Sequence, residues 1–385
     1  MNETLAFSGN VVFPDGVRKA TVSFADGVIT SIEENKEGAI ALPEKLYLAP
    51  GFIDEHIHGA NGTDFMDAKI SSIGHTVHAL PREGVTSLLA TTMTMDAHHI
   101  ENALQAIDFW MKDQHRGARI LGAHLEGPFI SPKHVGAQDP RNVLTPDVAT
   151  FQAFQKASGG HIKEVTFAYE EDKDGSFLKE LVKEGVLPSI GHSDCTAEVL
   201  KKGIAGGIRC VTHVFNAQRG FHHREPGIVG EALINDGLKT ELICDFIHSV
   251  PDAVKLLFHS KKKGDIVLIS DSTEGKYLAP GKYQLGGQDI LISDVARLED
   301  GTIAGSILCL DQALRNARTV AEGYSMSDLI NCVSLNPATN LGVQDKVGSI
   351  APGKYADFAL IDKDFHVYMT FVGGKLMYQK EKFSL

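Results

Sequence analysis

In the stretch GFIDEHIHG, residues 51–59, an apolar lead of Gly51, Phe52 and Ile53 runs straight into Asp54, Glu55, His56 and His58. If the lead is a β-strand, its side chains alternate between two faces, so His56 and His58 point the same way, roughly 6 to 7 Å apart along the chain. Two imidazoles aimed at one place suit a metal ion, because imidazole is the commonest protein metal ligand. A chain with 17 histidines also produces such a pair by chance, so the pair needs support from the rest of the sequence.

That support comes from the elements that must position it. Between residues 51 and 344, apolar runs such as VTSLLAT, ARILGAHLEG, EVTFAYE, VLPSIGH, IRCVTHV, TELICDF and DIVLISD are separated by helix-like segments, among them AHHIENALQAIDFWMKDQ, FLKELVKEG, AEVLKKGIAGG and PDAVKLLFHS. Strand alternating with helix predicts βαβ units and a parallel sheet. With GFIDEHIH as the first there are eight such runs, the number that closes a (β/α)8 TIM-like barrel, whose strands all open their C-terminal ends onto one face. His56 and His58 end the first run, Glu126 the third, His192 the fifth, His213 the sixth and Asp271 the eighth. Six polar groups at the ends of apolar strands are costly to bury without a shared partner. The pattern therefore predicts a metal centre at the barrel mouth.

Residues 1–50 and 345–385 read differently, as short strands punctuated by Asp15-Gly16, Asp26-Gly27, Pro352-Gly353 and Gly373-Gly374 turns. Neither end suffices for a core, which predicts one small β-sandwich domain built from both termini. Hydrophobic and charged contents of 43% and 22% are those of a soluble globular enzyme. A net charge of -12 with no basic run beyond Lys261, Lys262 and Lys263 argues against nucleic-acid binding. The first residues show no signal-peptide pattern and no long apolar window follows. Five cysteines without a CxxC pair fit reduced thiols. The expected protein is cytoplasmic, with no membrane association.

The segments GFIDEHIHG, HLEGPFISP followed by GAQ, GHSD, THVFNAQRGFHHREPG, DFIHS, ISDST, NPATNLG and GSIAPGKYADFALID together resemble the amidohydrolase superfamily and, within it, the N-acetylglucosamine-6-phosphate deacetylase family. The similarity spans nearly the whole chain; HLEGP, THxFNA and REPG in combination are its most specific part, whereas the closing GSIAPGKYADFALID indicates the superfamily only. The resemblance implies that Glu126 bridges two divalent cations, with His192 and His213 completing the shell of one, and His56, His58 and Asp271 holding the other. Such ligands suit zinc or iron without choosing between them. It further implies attack by metal-bound hydroxide on an acetamide, with Asp271 as general base and acid; a ligand-only role or a helix cap is the alternative for Asp271.

The same resemblance implies a phosphorylated amino sugar as substrate, bound by Arg224, His248, Asn216 and Ala217. It also implies a homodimer in which Arg224 and His248 reach across the interface into the partner's site. A guanidinium matches phosphate oxygens well, although Arg224 alone could equally form a surface salt bridge. Gln138 stands where several relatives carry a histidine, and either polarises the acetyl carbonyl or shapes the pocket. Leu308 either lines the acetyl methyl or is plain core. Two rivals share the metals: another amidohydrolase, such as a cyclic-amide hydrolase or deaminase, which would lack the phosphate clamp, and an inactive metal-binding scaffold, which would not need Asp271.

Overall fold

The structure, a computed structural model, describes residues 5–34, 37–113 and 116–385. Eight parallel strands follow one another around a barrel: β1 Phe52–Ile57, β2 Val85–Thr92, β3 Arg119–Glu126, β4 Ile162–Phe167, β5 Leu187–Ile190, β6 Cys210–Val211, β7 Lys239–Ile243 and β8 Ile266–Ile269. Each strand pairs with the next in sequence order. The ring closes where β8 runs out: the Asp271 N–H donates to the His56 carbonyl at 2.9 Å, and the Ser270 N–H to Asp54 Oδ1 at 3.1 Å. Strands buried on both faces can be apolar throughout, and β2, from VTSLLAT, is buried at every residue.

Eight helices alternate with the strands: α1 Ile70–Ala79, α2 Ala97–Met111, α3 Val148–Ala157, α4 Ser176–Lys183, α5 Ala197–Gly206, α6 Gly227–Ile234, α7 Pro251–Ser260 and α8 Leu310–Val320. Their packing follows their apolar spacing. In α8, Leu310, Ala313, Leu314 and Ala317 are the buried positions, one stripe of a 3.6-residue period. Helix starts follow their caps: Asp96, Asp147 and Thr196 each accept from the backbone N–H three residues on. The helix-like segment read as far as Gln114 has its last residue outside the described residues.

The termini share one sheet, in the order Lys375–Gln379, Val367–Val372, Phe358–Asp362, Leu46–Pro50, Leu5–Phe13, Gly16–Ala25 and Val28–Glu33. The sheet curls so that its halves face each other: Phe7 packs on Phe371, three strands away, at 5.1 Å between ring centroids. The sandwich expected from the sequence thus takes the form of a single folded sheet with its own core of Phe7, Phe24, Leu48, Phe358 and Phe371 among others. It is tied to the barrel by the Arg119–Asp357 ion pair at 2.6 Å and by the Thr370 hydroxyl on the Pro81 carbonyl at 2.7 Å.

A third sheet was not anticipated. After β8 the chain makes an antiparallel excursion, Gly281–Leu285, Gln288–Ile292 and Ala296–Arg297, before returning to α8. Leu285, Ile290, Ile292, Ala296 and Ala304 pack there with Met93, just beyond the end of β2. The excursion consequently lies over the barrel mouth.

Candidate active site

The barrel brings all six predicted ligand positions together. Glu126, at the last position of β3, lies at the centre: its Oε1 is 3.1 Å from both His192 Nε2 and His213 Nε2, and its Oε2 is 3.3 Å from His58 Nε2. Asp271 Oδ1 lies 3.2 Å from His58 Nε2 and 3.6 Å from His56 Nε2. All six side chains are buried. His192, His213 and Asp271, just past the ends of β5, β6 and β8, take left-handed φ values of 48°, 27° and 48°. Such backbone costs about 1–3 kcal/mol per residue and persists only where the surroundings hold it; here the conformation accompanies the chain leaving each strand at the mouth.

The arrangement suits cations. Two groups of donor atoms, His56, Glu126 and His213 and then His56, His58 and Asp271, each lie within 4.8 Å of one another. His56 Nε2 is buried without a hydrogen-bond partner, 3.6 Å from Glu126 Oε1 and from Asp271 Oδ1. Imidazole nitrogens and carboxylate oxygens are the donors of zinc and iron sites. The charges are strongly interdependent. Burial works against a charged His56, but Glu241, Asp271 and Glu126 outweigh it and raise the imidazole to about 9. Burial likewise pushes Asp271 upward, and His56 and His58 more than reverse it, leaving the carboxyl at about 2. Glu126 is held well below the usual carboxylate range against its own burial, by His192, His213 and His58. The ionised carboxylates and the imidazoles beside them offer a cation negative charge and nitrogen donors together.

The mouth encloses a cavity of about 180 Å³ lined by His58, Glu126, His192, His213 and Asp271. Gln138, Asn216, Ala217 and His248 line it too. Gln138 has both ends of its amide engaged: Nε2 donates to Glu126 Oε2 at 2.6 Å and Oε1 accepts from the Thr94 N–H at 2.7 Å. Of the two roles left open for Gln138, shaping the site by holding Glu126 is the one this geometry supports. His248, with Nδ1 2.7 Å from Asp245 Oδ2, lines the cavity of its own chain, whereas the sequence reading assigned it to a partner's site. DFIHS directly follows β7, which places His248 at this chain's own mouth.

Two predicted residues stand elsewhere. Arg224 is exposed, with Nη1 2.7 Å from His223 Nε2. Leu308 is buried and lines an adjoining cavity with Asp245, Phe246 and Ile247, a placement that supports core packing. Sequence reasoning also missed participants. Met93, Leu285, Thr302 and Ile303 line the cavity, the last three brought by the excursion and its return. Glu241, wholly buried, bonds to His56 Nδ1 through Oε2 at 3.0 Å. Its signal was available: an acid inside the apolar run TELICDF needs a partner.

With fold and site in view, the comparisons agree. The chain belongs to the amidohydrolase family, whose model matches residues 47–377. It is 40% identical over 371 residues, 94% of this chain and 93% of the relative, to the N-acetylglucosamine-6-phosphate deacetylase of Bacillus subtilis (strain 168). It is 33% identical, over 91% of this chain and 93% of the relative, to the N-acetylgalactosamine-6-phosphate deacetylase of Escherichia coli O157:H7. Among solved structures, a mutant N-acetyl-D-glucosamine-6-phosphate deacetylase from Mycobacterium smegmatis, in complex with N-acetyl-D-glucosamine-6-phosphate, superposes with a TM-score of 0.91 at 26% identity, covering 98% of this chain and 100% of that one.

Proposed function

We propose that this chain hydrolyses N-acetylglucosamine 6-phosphate to glucosamine 6-phosphate and acetate. The observation that carries the reading is the gathering of Glu126, Asp271, His56, His58, His192 and His213 within 3.1–3.6 Å contacts at the barrel mouth, in a chain 40% identical along nearly its whole length to a deacetylase. Glu126, His192 and His213 would hold one divalent cation and His56, His58 and Asp271 a second, zinc or iron. A cation so held acidifies water and polarises a carbonyl oxygen.

The chain's own groups do the rest. Asp271, ionised beside His56 and His58, accepts a proton from the attacking water and returns it to the nitrogen that leaves as the amine. Gln138 keeps Glu126 oriented through its 2.6 Å hydrogen bond. Asn216, Ala217 and His248 position the sugar within the cavity.

Arg224 clamps the phosphate of the partner subunit's substrate in a homodimer. Its exposure outside its own cavity supports this role, as does the apolar surface nearby: Phe221 is 61% exposed and Leu256 50%, and both line a shallow depression with Phe215, Val229 and Leu233. Large exposed apolar side chains beside a guanidinium have the composition of an interface core. The five cysteines are unpaired, in keeping with a reducing, cytoplasmic setting. Among the described residues no helix is long and apolar enough to cross a membrane.

Acetate release from N-acetylglucosamine 6-phosphate, run beside the galactosamine epimer and the unphosphorylated sugar, tests the reading. The glucosamine compound should be preferred over both; a preference for the epimer would move the assignment to the galactosamine branch represented by the Escherichia coli relative.

A further inference from the structure

We propose that Glu241 is a positioning residue that sets which nitrogen of His56, and which backbone conformation of His213, are offered to the cations. The proposal rests on the reading of the mouth cluster as a metal site. Glu241 is fully buried in β7, and one oxygen does two things at once. Its Oε2 lies 3.0 Å from His56 Nδ1 and accepts the His213 backbone N–H at 3.1 Å. Two ligands from strands far apart in sequence are thereby fixed to one carboxylate.

The consequence for His56 is chemical. A neutral imidazole carries one proton, and the nitrogen without it is the ligand. The carboxylate holds a proton on Nδ1, so the nitrogen that gives up its proton when a cation binds is Nε2, 3.6 Å from both Glu126 and Asp271. For His213 the consequence is conformational. Its φ of 27° is a left-handed value that L-residues rarely adopt, and the N–H that Glu241 accepts belongs to that residue. The other oxygen, Oε1, has no hydrogen-bond partner among the described residues, and neighbouring Glu55 and Glu164 are also acids. The side-chain hydrogen bonds that Glu241 makes among the described residues are the two to His56 and His213, which ties its buried charge to the ligand side. Carboxylate partners of metal-binding histidines typically carry 10–100-fold in metal affinity.

The test compares wild type, Glu241→Ala and Glu241→Gln as full-length proteins. Zinc affinity is measured by competition with a chromophoric chelator, and crystal structures are determined for the metal-free forms. Glu241→Ala should bind zinc about 10–100-fold more weakly, with the His56 ring reoriented or His213 out of its left-handed conformation. Glu241→Gln, which keeps an oxygen acceptor, should recover part of the loss. Wild-type zinc affinity in folded Glu241→Ala, or unmoved His56 and His213 in its crystals, would overturn the assignment. If the alanine variant does not fold, Glu241→Gln decides: affinity equal to wild type contradicts the role, and a several-fold loss supports it. Should wild type itself take up neither zinc nor ferrous iron, the metal reading fails, and the metal-free crystals still decide whether Glu241 holds the two histidines.

Discussion

Asp271 is a carboxylate that burial would normally neutralise, and the two imidazoles beside it keep it ionised. Asp271→Asn preserves its size while removing its capacity to accept a proton. The variant should lose about 10²–10⁴-fold in kcat, and near-normal turnover at full metal content would remove Asp271 from the mechanism. Gln138→Leu should act differently, because it strands Glu126 Oε2 and the Thr94 N–H without their amide partner. An unsatisfied buried polar group costs about 1–3 kcal/mol, so zinc content and melting temperature should fall together; a variant with unchanged metal content would show that Glu126 needs no such support. At this scale the sequence exposed the groups that end strands, since polar residues closing apolar runs stand out. It hid Glu241 and the role of Gln138, because their meaning lies in partners far away: Glu241 finds His56 185 positions earlier in the chain.

Elements carry these residues to one point, and a glycine shows how little room the barrel leaves. Gly191, between β5 and His192, has Thr166 and Thr212 pressed against it: a Cβ there would sit 2.6 Å from Thr212 Cβ and 2.9 Å from Thr166 Cγ2. Those threonines belong to an interior polar chain, with Thr166 Oγ1 2.7 Å from both Thr212 Oγ1 and His124 Nε2. Overpacking of this kind costs about 1–3 kcal/mol. Gly191→Ala should therefore lower the midpoint of denaturant unfolding and misplace His192, reducing zinc affinity; wild-type stability would mean that the strands can part freely. The eight strands were legible because each is a short apolar run bounded by helix signals. The excursion at 281–297 was not, since its strands are half-exposed, with buried positions such as Leu285 and Ile292 scattered among exposed ones, and the surface they cover is made by β2's end rather than by neighbours in sequence.

The whole molecule joins both termini in one sheet, which the sequence indicated by giving each end turns and strands without enough apolar residues for a core. Nothing local revealed that the sheet would fold over on itself as one piece. Assembly makes its own prediction. If Arg224 serves the partner's site, inactive Asp271→Asn and Arg224→Ala proteins refolded together should regain about a quarter of wild-type activity, because half of the dimers are mixed and half of their sites are intact. Activity remaining at parental levels, with mixed dimers shown by mass to be present, would place Arg224 in service of its own subunit. The most direct test of the central claim is acetate release measured with N-acetylglucosamine 6-phosphate and with the unphosphorylated sugar, on protein stripped by chelator and then reloaded with zinc or iron. The account predicts release that vanishes on stripping, returns on reloading, and is at least about 100-fold more efficient in kcat/KM for the phosphorylated sugar. Equal efficiency for the two sugars, or release indifferent to metal removal, would contradict it.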